Sequence, residues 1–137
     1  MKVVDATIFA TLSGDSALMA LATGGVFHQT APQDANRPNL VWWTQSSTDE
    51  WTYEVLAAQH IILTLRADGD SAQEFPTLSD ILDRANALLN NQPLVFTGYN
   101  LIGLRRSQGP FDTSALNNGV YYPALTSLYR LDLQPTS

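Results

Sequence analysis

The chain contains no cysteine, only two histidines and few charged side chains. Without cysteine the protein has no disulfide, no thiolate metal site and no cysteine nucleophile. The two histidines, His28 and His60, have no partner at a spacing typical of metal ligands. Charged residues make up 15% of the chain, too few to keep every face hydrated, so we expect a partner to cover some of the surface.

Basic residues and long apolar runs are also scarce. Seven lysines and arginines stand against thirteen aspartates and glutamates, for a formal net charge of −6 and an isoelectric point near 4.5. Proteins that bind phosphate backbones rely on clustered basic side chains, so the composition argues against a DNA-binding domain. No apolar run approaches the ~18 residues of a membrane-spanning helix. We therefore expect a soluble, unsecreted protein with no membrane partner.

What the sequence does contain is enough for one packed core. A chain of 137 residues with 45% hydrophobic content fits a single globular domain over residues 1–137. At this size, folding removes roughly 65 to 70% of the surface of the unfolded chain from water. No internal repeat or linker interrupts the chain.

The clearest element is an amphipathic helix at residues 77–90. Its leucines and isoleucine recur at steps of three and four residues, so they form one stripe that must face a sheet. We predict Thr77 as the N-cap and Asp80 at the third helical position. The helix begins as early as Ser71 if Pro76 is accommodated within it.

An N-terminal helix and several strands surround this element. Residues 3–12 are predicted to be helical, with Ile8 and Phe9 among the apolar positions, and a second helical turn at 15–22 has Asp15 as its N-cap. Alternating or branched and aromatic residues predict strands at 26–28, 39–44, 51–66, 94–96, 101–105 and 121–133. This order favours an α+β fold, in which the N-terminal helix and the central amphipathic helix pack on a mainly antiparallel sheet.

Two polar segments, residues 45–50 and 107–119, are predicted to be loops. The second is long for a structureless insertion in a compact domain, and such insertions are usually functional or disordered. The strand that begins near Trp51 is long enough to project beyond the sheet.

No residue pattern indicates catalysis, a metal or a cofactor. The acidic residues at 49–50, 68, 70 and 74 offer oxygen ligands for a hard cation, but their spacing does not match a calcium-binding loop, and solvated acidic loops explain them better. One alternative is a small metal-dependent hydrolase that uses His28, His60 and Asp49 or Glu50. A histidine on a strand is more commonly a structural or interface residue.

Two short glycine-containing sequences have structural explanations. The Ser-Gly-Asp-Ser sequence at residues 13–16 lacks the strand and the second glycine of a nucleophile elbow. Gly24 and Gly25 lack the rest of a dinucleotide fingerprint or a phosphate loop, so we predict that they end a helix. Neither sequence predicts an active site, and we expect no enzymatic activity.

Aromatic and basic side chains on strands are better candidates for binding. Adjacent strand residues point to opposite faces, so either both faces of the sheet are covered or one of Trp42 and Trp43 faces a partner. Aromatic residues are favoured at the centres of protein interfaces. The candidate interface residues are Trp42, Trp43, Trp51, Tyr53, Arg105, Arg106, Phe111, Tyr121 and Tyr122.

The order of these segments resembles the phage tail-terminator or tail-completion family. The likeness covers nearly the whole chain. It rests on the Gly-Gly stop and short strand at residues 24–28, the proline loop and apolar strand at 37–42, the long strand at 60–66, the helix end at 85–90 and the final strand at 128–133. Pro76 and the segment 107–119 depart from the family pattern.

This resemblance implies a structural, non-enzymatic virion protein of the tail or neck, assembled in the host cytoplasm. It implies a homo-oligomeric, typically hexameric ring at the head-proximal end of a long tail. Such a ring stops growth of the tail tube and joins the tail-tube protein to a neck or head-completion protein. DNA passes through its lumen without specific binding, which suits the acidic composition. The alternative is a neighbouring neck component, a stopper or adaptor protein of the head-to-tail interface.

Overall fold

Helices and strands follow one another in the order that the α+β prediction requires. The structure, a computed structural model, describes residues 2–32, 34–52 and 55–136, and for 46–52, 55–57 and 117 it describes only the backbone. The helices are α1 (Lys2–Ser13), α2 (Ser16–Leu21) and α3 (Phe75–Leu89). The strands are β1 (Val26–His28), β2 (Asn39–Thr52), β3 (Val55–Asp68), β4 (Tyr99–Asp112), β5 (Ala115–Asn117), β6 (Val120–Tyr122) and β7 (Ala124–Pro135).

Five of these strands form one sheet in the order β1-β2-β3-β7-β4. Strand β1 runs parallel to β2, and each of the other neighbouring pairs is antiparallel. This arrangement confirms the mainly antiparallel sheet. Strands β5 and β6 pair with each other as a separate hairpin between β4 and β7.

The helices pack against one face of the sheet and bury the core there. Helix α1 buries Val4, Ile8 and Leu12, which recur at steps of four residues and therefore share one side of the helix. Phe9, which we expected among the apolar contacts of this helix, lies on another side and is 48% exposed. No helix among the described residues has the length and apolar character needed to cross a membrane.

Helix α3 confirms the predicted apolar stripe but begins earlier than predicted. Its buried residues are Leu78, Ile81, Leu82, Ala85 and Leu89. The helix starts at Phe75, so Thr77 is not its N-cap. Instead a 3₁₀ turn at Ala72–Glu74 leads into it, and the Glu74 carboxylate accepts hydrogen bonds from the backbone N–H groups of Asp70 and Ser71, at 2.7 and 3.1 Å. Pro76 lies in the first turn of α3, where a backbone N–H has no acceptor within the helix. The absence of an N–H at this position therefore costs no helical hydrogen bond.

Strands β2 and β3 continue beyond the sheet as a hairpin. The prediction of a loop at residues 45–50 is wrong, because β2 runs through this segment to Thr52, and Trp51 belongs to β2 rather than to β3. Pairing of β3 with β7 begins only at Gln59, so residues 55–58 have no β7 partner. We call these residues, together with residues 46–52 of β2, the arm. The projection of the long strand β3 beyond the sheet was predicted, but its pairing with an extended β2 was not.

The prediction of a long loop at residues 107–119 is also wrong. Strand β4 extends to Asp112, and the β5–β6 hairpin follows, with a turn in which Asn118 and Gly119 have positive φ angles of 53° and 76°. Such a turn matches the right-handed twist of a two-residue hairpin. Tyr121 and Tyr122 therefore belong to β6, and β7 begins after Pro123. Residues 94–96 do not form the predicted strand; Phe96 makes one isolated bridge to Tyr99.

Candidate functional site

The helices leave the second face of the sheet, here called the outer face, uncovered. The sheet residues that pack in the core with the helices alternate along β2, β3 and β7 with residues that point the other way. Along β3, this alternation directs Ile61, Leu63 and Leu65 towards the helices. The outer face comprises Val41, Trp43, His60, Ile62, Thr64, Arg66, Arg105, Phe111, Thr126, Leu128, Arg130 and Asp132.

The two adjacent tryptophans divide between these faces. Trp42 is fully buried in the core and stacks on the His28 ring, with 4.2 Å between the ring centroids. Trp43 is half-buried on the outer face, and the Arg66 guanidinium lies 5.6 Å from its ring centroid. A cation over an indole face is an attractive contact that leaves the other side of the ring available. Of the two, Trp43 is therefore placed to meet a partner.

A charged cluster lies next to the aromatic part of the outer face. His60 Nδ1 and Asp132 Oδ1 are 2.5 Å apart, and Arg130 Nε donates to the same carboxylate at 3.1 Å. Burial by itself raises the pKa of Asp132, but the hydrogen bonds from His60 and Arg130, together with the positive charge of Arg130, bring that pKa below its ordinary value. Asp132 therefore carries its negative charge at neutral pH. Of this cluster only His60 is a candidate in the sequence analysis. The alternation along β7 is the signal that could have added Arg130 and Asp132, because residues two apart in a strand share one face.

The β5–β6 hairpin carries exposed apolar and aromatic side chains at the end of the sheet opposite the arm. Leu116 is 73% exposed and Tyr121 is 43% exposed. Tyr122 is half-buried under Arg37, whose guanidinium lies 4.9 Å from the ring centroid. Arg37 also pairs with Asp70 at 3.5 Å, so the base of the hairpin is held against neighbouring loops.

The remaining aromatic candidates are Phe111 in β4, Trp51 in the arm, and Tyr53. Phe111 is half-buried on the outer face, where it pairs with Thr126. Tyr53 lies outside the described residues. The side chain of Trp51 does as well, and its backbone pairs with Leu56 in the arm.

Arg105 and Arg106 lie on β4, which forms one edge of the sheet. Both side chains are exposed. Arg105 pairs in register with Arg130 and Arg106 with Tyr129, so the two arginines point to opposite faces of the same edge. The structure therefore places them away from Trp43, on the far side of β3 and β7.

The two histidines do not form the site that the hydrolase alternative requires. His28 stacks on Trp42 on the helix side of the sheet, and its Nε2 lies 3.8 Å from Asp5. His60 lies on the outer face next to Asp132. The side chains of Asp49 and Glu50 lie outside the described residues. Because the sheet separates the two imidazoles, they cannot bind one metal ion together.

Three of the acidic residues that offered oxygen ligands, Asp68, Asp70 and Glu74, act in structural contacts instead. Asp68 accepts from Arg66 Nε at 2.9 Å, Asp70 pairs with Arg37, and Glu74 caps the turn before α3. Within residues 2–32, 34–52 and 55–136, no three histidine or acidic side chains are grouped in a way that could hold a metal ion. No metal or cofactor site follows from this geometry.

The Ser-Gly-Asp sequence forms a helix junction. Asp15 caps α2 by accepting from the Leu18 N–H at 2.9 Å, and both of its oxygens accept from Arg84 of α3 at 2.8 Å. The hydrogen bonds from Arg84 and from the Leu18 N–H lower the pKa of Asp15 to about 2. The predicted N-cap is confirmed, and the site joins two helices rather than activating a nucleophile.

The Gly-Gly sequence follows the end of α2 rather than capping it directly. The helix ends at Leu21, with Ala22 as its C-cap. A Cβ atom on Gly24 would lie 1.9 Å from the Asn36 carbonyl oxygen, so only glycine lets the loop before β2 approach this closely. The glycine therefore positions β1 beside β2.

Comparison with known proteins identifies one family. Residues 6–118 match the family described as Tail completion protein gp17. No curated protein matches the chain.

Solved structures share the fold at low sequence identity. A chain from the "Virion of native gene transfer agent (GTA) particle" is similar with a TM-score of 0.76 and 15% identity, over 94% of this chain and 92% of that one. A second solved chain, which carries no descriptive name, has a TM-score of 0.68 and 10% identity, over 99% of this chain and 96% of that one. At such identities the likeness demonstrates a common fold.

Proposed function

The chain belongs to the family of tail completion protein gp17, and from this premise we propose that it forms a ring at the head-proximal end of a long phage tail. There it ends growth of the tail tube and provides the surface to which the neck or head-completion protein binds. The observation that carries this proposal is the family match over residues 6–118. The family is structural, which implies a role without catalysis.

The occurrence of the fold in a virion supports the same role. The similar chain of the gene transfer agent belongs, by its description, to a virion particle. The similarity extends over nearly the whole length of both chains. We propose that this protein is likewise built into a particle, at the junction of tail and head.

The two hairpins supply the asymmetry that a terminating ring needs. A tube that grows by stacking identical rings presents the same surface after each addition, so a terminator must have one tube-like side and one different side. The arm extends from one end of the sheet, and the β5–β6 hairpin joins β4 to β7 at the other end. We propose that the β5–β6 hairpin contacts one of the two partners, the tube or the neck, and that the opposite end of the sheet contacts the other.

The outer face supports assembly into a larger object. Trp43, Ile62 and Leu128 are half-buried there, so a monomer leaves part of their apolar surface in water, whereas a ring subunit can bury it. The net charge of −6 suits a lumen through which DNA slides, because like charges do not adhere.

Deletion of the gene tests this proposal. In a lysate of the deletion strain, electron microscopy should show full heads and separate tail tubes, with many tubes longer than in wild type. Supplying the wild-type gene in trans should restore joined particles of normal length. Joined particles without the protein would rule out the terminator role, and heads that have lost their DNA would favour a neck stopper.

A further inference from the structure

Most of the basic residues in this chain are already paired with acidic ones. Four arginines make ion pairs: Arg37 with Asp70, Arg66 with Asp68, Arg84 with Asp15, and Arg130 with Asp132. In an acidic protein such pairs are expected, since carboxylates outnumber the basic groups by thirteen to seven.

The other basic residues are Lys2 and the adjacent pair Arg105 and Arg106. Both of these arginines are exposed, and neither makes an ion pair with any residue that the structure describes. Arg105 also lies directly across from Arg130 on the same face, and like charges in this position destabilise a strand pair. Exposed edge strands carry features that prevent pairing with strands of other molecules. Strand β4 already has three register shifts and Pro110, so two adjacent arginines are not needed for this purpose. This basic edge is suited to an external anionic group.

The arm has the opposite charge. The sequence between Gln45 and Gln59 contains Asp49, Glu50 and Glu54 and no basic residue. The backbone of the arm extends past the last β7 pair at Gln59 by four residues of β3, or roughly 13 Å at the rise of a strand. An acidic ribbon therefore projects from the β2–β3 side of the sheet, while the basic edge lies on β4 at its other side.

We infer that the acidic arm of one copy of this chain docks on the Arg105–Arg106 edge of the next copy. The inference rests on the ring proposed above and names the contact that closes it. A ring is built from heterologous contacts, in which two different patches of each subunit meet in succession. The arm and the basic edge are two such patches, with opposite charge and on opposite sides of one sheet.

The contact cannot form within a single chain. Glu50 pairs with Ala58, Ile62 with Arg130, and Arg130 with Arg105. Glu50 and Arg105 are therefore separated by three strand spacings and about four residues along the strands, or roughly 19 Å. A disulfide needs Cα atoms within about 7 Å, so a disulfide between these two positions must join two copies.

Cysteine cross-linking tests the inference without background, because the natural chain has no cysteine. The double variant Glu50→Cys with Arg105→Cys is supplied to the deletion strain, and assembled particles are purified, oxidised and run on a non-reducing gel. We expect a ladder of covalent multimers that ends at the number of subunits in the ring. A mixture of the two single variants should stop at covalent dimers, and each single variant alone should stay monomeric.

The same particles separate failure of the inference from failure of the proposed function. If microscopy shows joined particles with the subunit at the tail end but the double variant stays monomeric on the gel, the arm contact is wrong and the terminator role stands. If the deletion strain makes normal joined particles, the role itself is wrong.

Charge reversal gives a second, independent measurement. Arg105→Glu with Arg106→Glu should reduce the number of joined particles roughly tenfold or more, since like charges then face each other across the contact. Adding Asp49→Arg with Glu50→Arg should restore it. Lys2→Glu, which reverses another exposed basic residue, should have no effect. Loss without restoration would overturn the inference and indicate that the arginines bind DNA or another protein.

Discussion

Trp42 and Trp43 are neighbours in the chain but belong to different surfaces of the protein. Trp42 is fully buried and stacked on His28, whereas Trp43 lies on the outer face under Arg66. The alternation of side chains along β2 produces this division, because the helices cover only one side of the sheet. Trp42 therefore contributes to folding, whereas Trp43 is available to contribute to assembly.

Alanine substitutions at the two tryptophans should therefore have different consequences. Trp42→Ala removes a buried aromatic ring and should lower the free energy of unfolding by about 3–5 kcal/mol, measured by urea denaturation. Trp43→Ala should cost about 1 kcal/mol or less in the isolated protein but reduce the yield of joined particles. Normal particle yield with Trp43→Ala would remove this residue from the interface.

The stripe of α3 should be intolerant of charge. Leu82→Asp places a carboxylate in the core, where it has neither water nor a partner, so folded protein should be lost from the soluble fraction. Ala87→Asp adds the same group to an exposed position of the same helix and should remain folded. Circular dichroism melting of both variants checks the prediction, and a normal melting temperature for Leu82→Asp would contradict the packing.

The junction between Asp15 and Arg84 should make stability depend on acid pH. The pKa of Asp15 is lowered from 3.8 to about 2 in the folded protein, so this carboxylate stabilises the fold above pH 3.8 and loses that contribution as pH falls towards 2. Asp15→Asn keeps an N-cap side chain but loses the charge, so its stability should change less than that of wild type across this range. Denaturation curves at pH 5, 4, 3 and 2 compare the two. Parallel pH profiles would show that the ion pair does not contribute.

Tyr129 should make stability depend on alkaline pH. Its hydroxyl donates to Asn86 Oδ1 at 2.9 Å, and burial raises its pKa from 10.0 to about 12. Because the unfolded chain ionises first, the stabilising contribution is complete below pH 10 and is lost as pH rises towards 12. Tyr129→Phe should cost about 1 kcal/mol at neutral pH and flatten the alkaline part of the profile. An unchanged slope in this variant would assign the alkaline loss to other groups.

Free DNA should bind weakly at physiological salt. Thirteen acidic residues outnumber seven basic ones, and four of the arginines are paired with carboxylates. We expect no binding stronger than roughly 100 μM in fluorescence anisotropy with a labelled duplex. Submicromolar affinity that falls steeply with added salt would indicate a DNA-binding surface instead.

Local sequence was sufficient to predict an element where its apolar residues recur with one period and lie on one buried face. The stripe of α3, the N-cap at Asp15 and the alternation along β3 and β7 each follow from side chains that must leave water on one side. The α+β class followed from their order. These are short-range properties of the chain, and the structure retains all of them.

Tertiary structure decided how far a strand extends where its side chains do not pack in the core. Residues 45–50 and 107–112 are polar and resemble loops, yet they extend β2 and β4, because backbone pairing with a neighbouring strand stabilises them regardless of side-chain polarity. The start of α3 also moved, because the 3₁₀ turn at Ala72–Glu74 leads directly into the helix at Phe75, two residues before Thr77.

The candidate surface depended most on the fold. The sequence by itself selected aromatic and basic residues on strands, and the alternation separated Trp42 from Trp43. It did not show which tryptophan the helices cover, that the sheet divides the two histidines, or that Arg105 lies across from Arg130. Each of these relations joins residues far apart in the chain, and only strand pairing and helix packing bring such residues together.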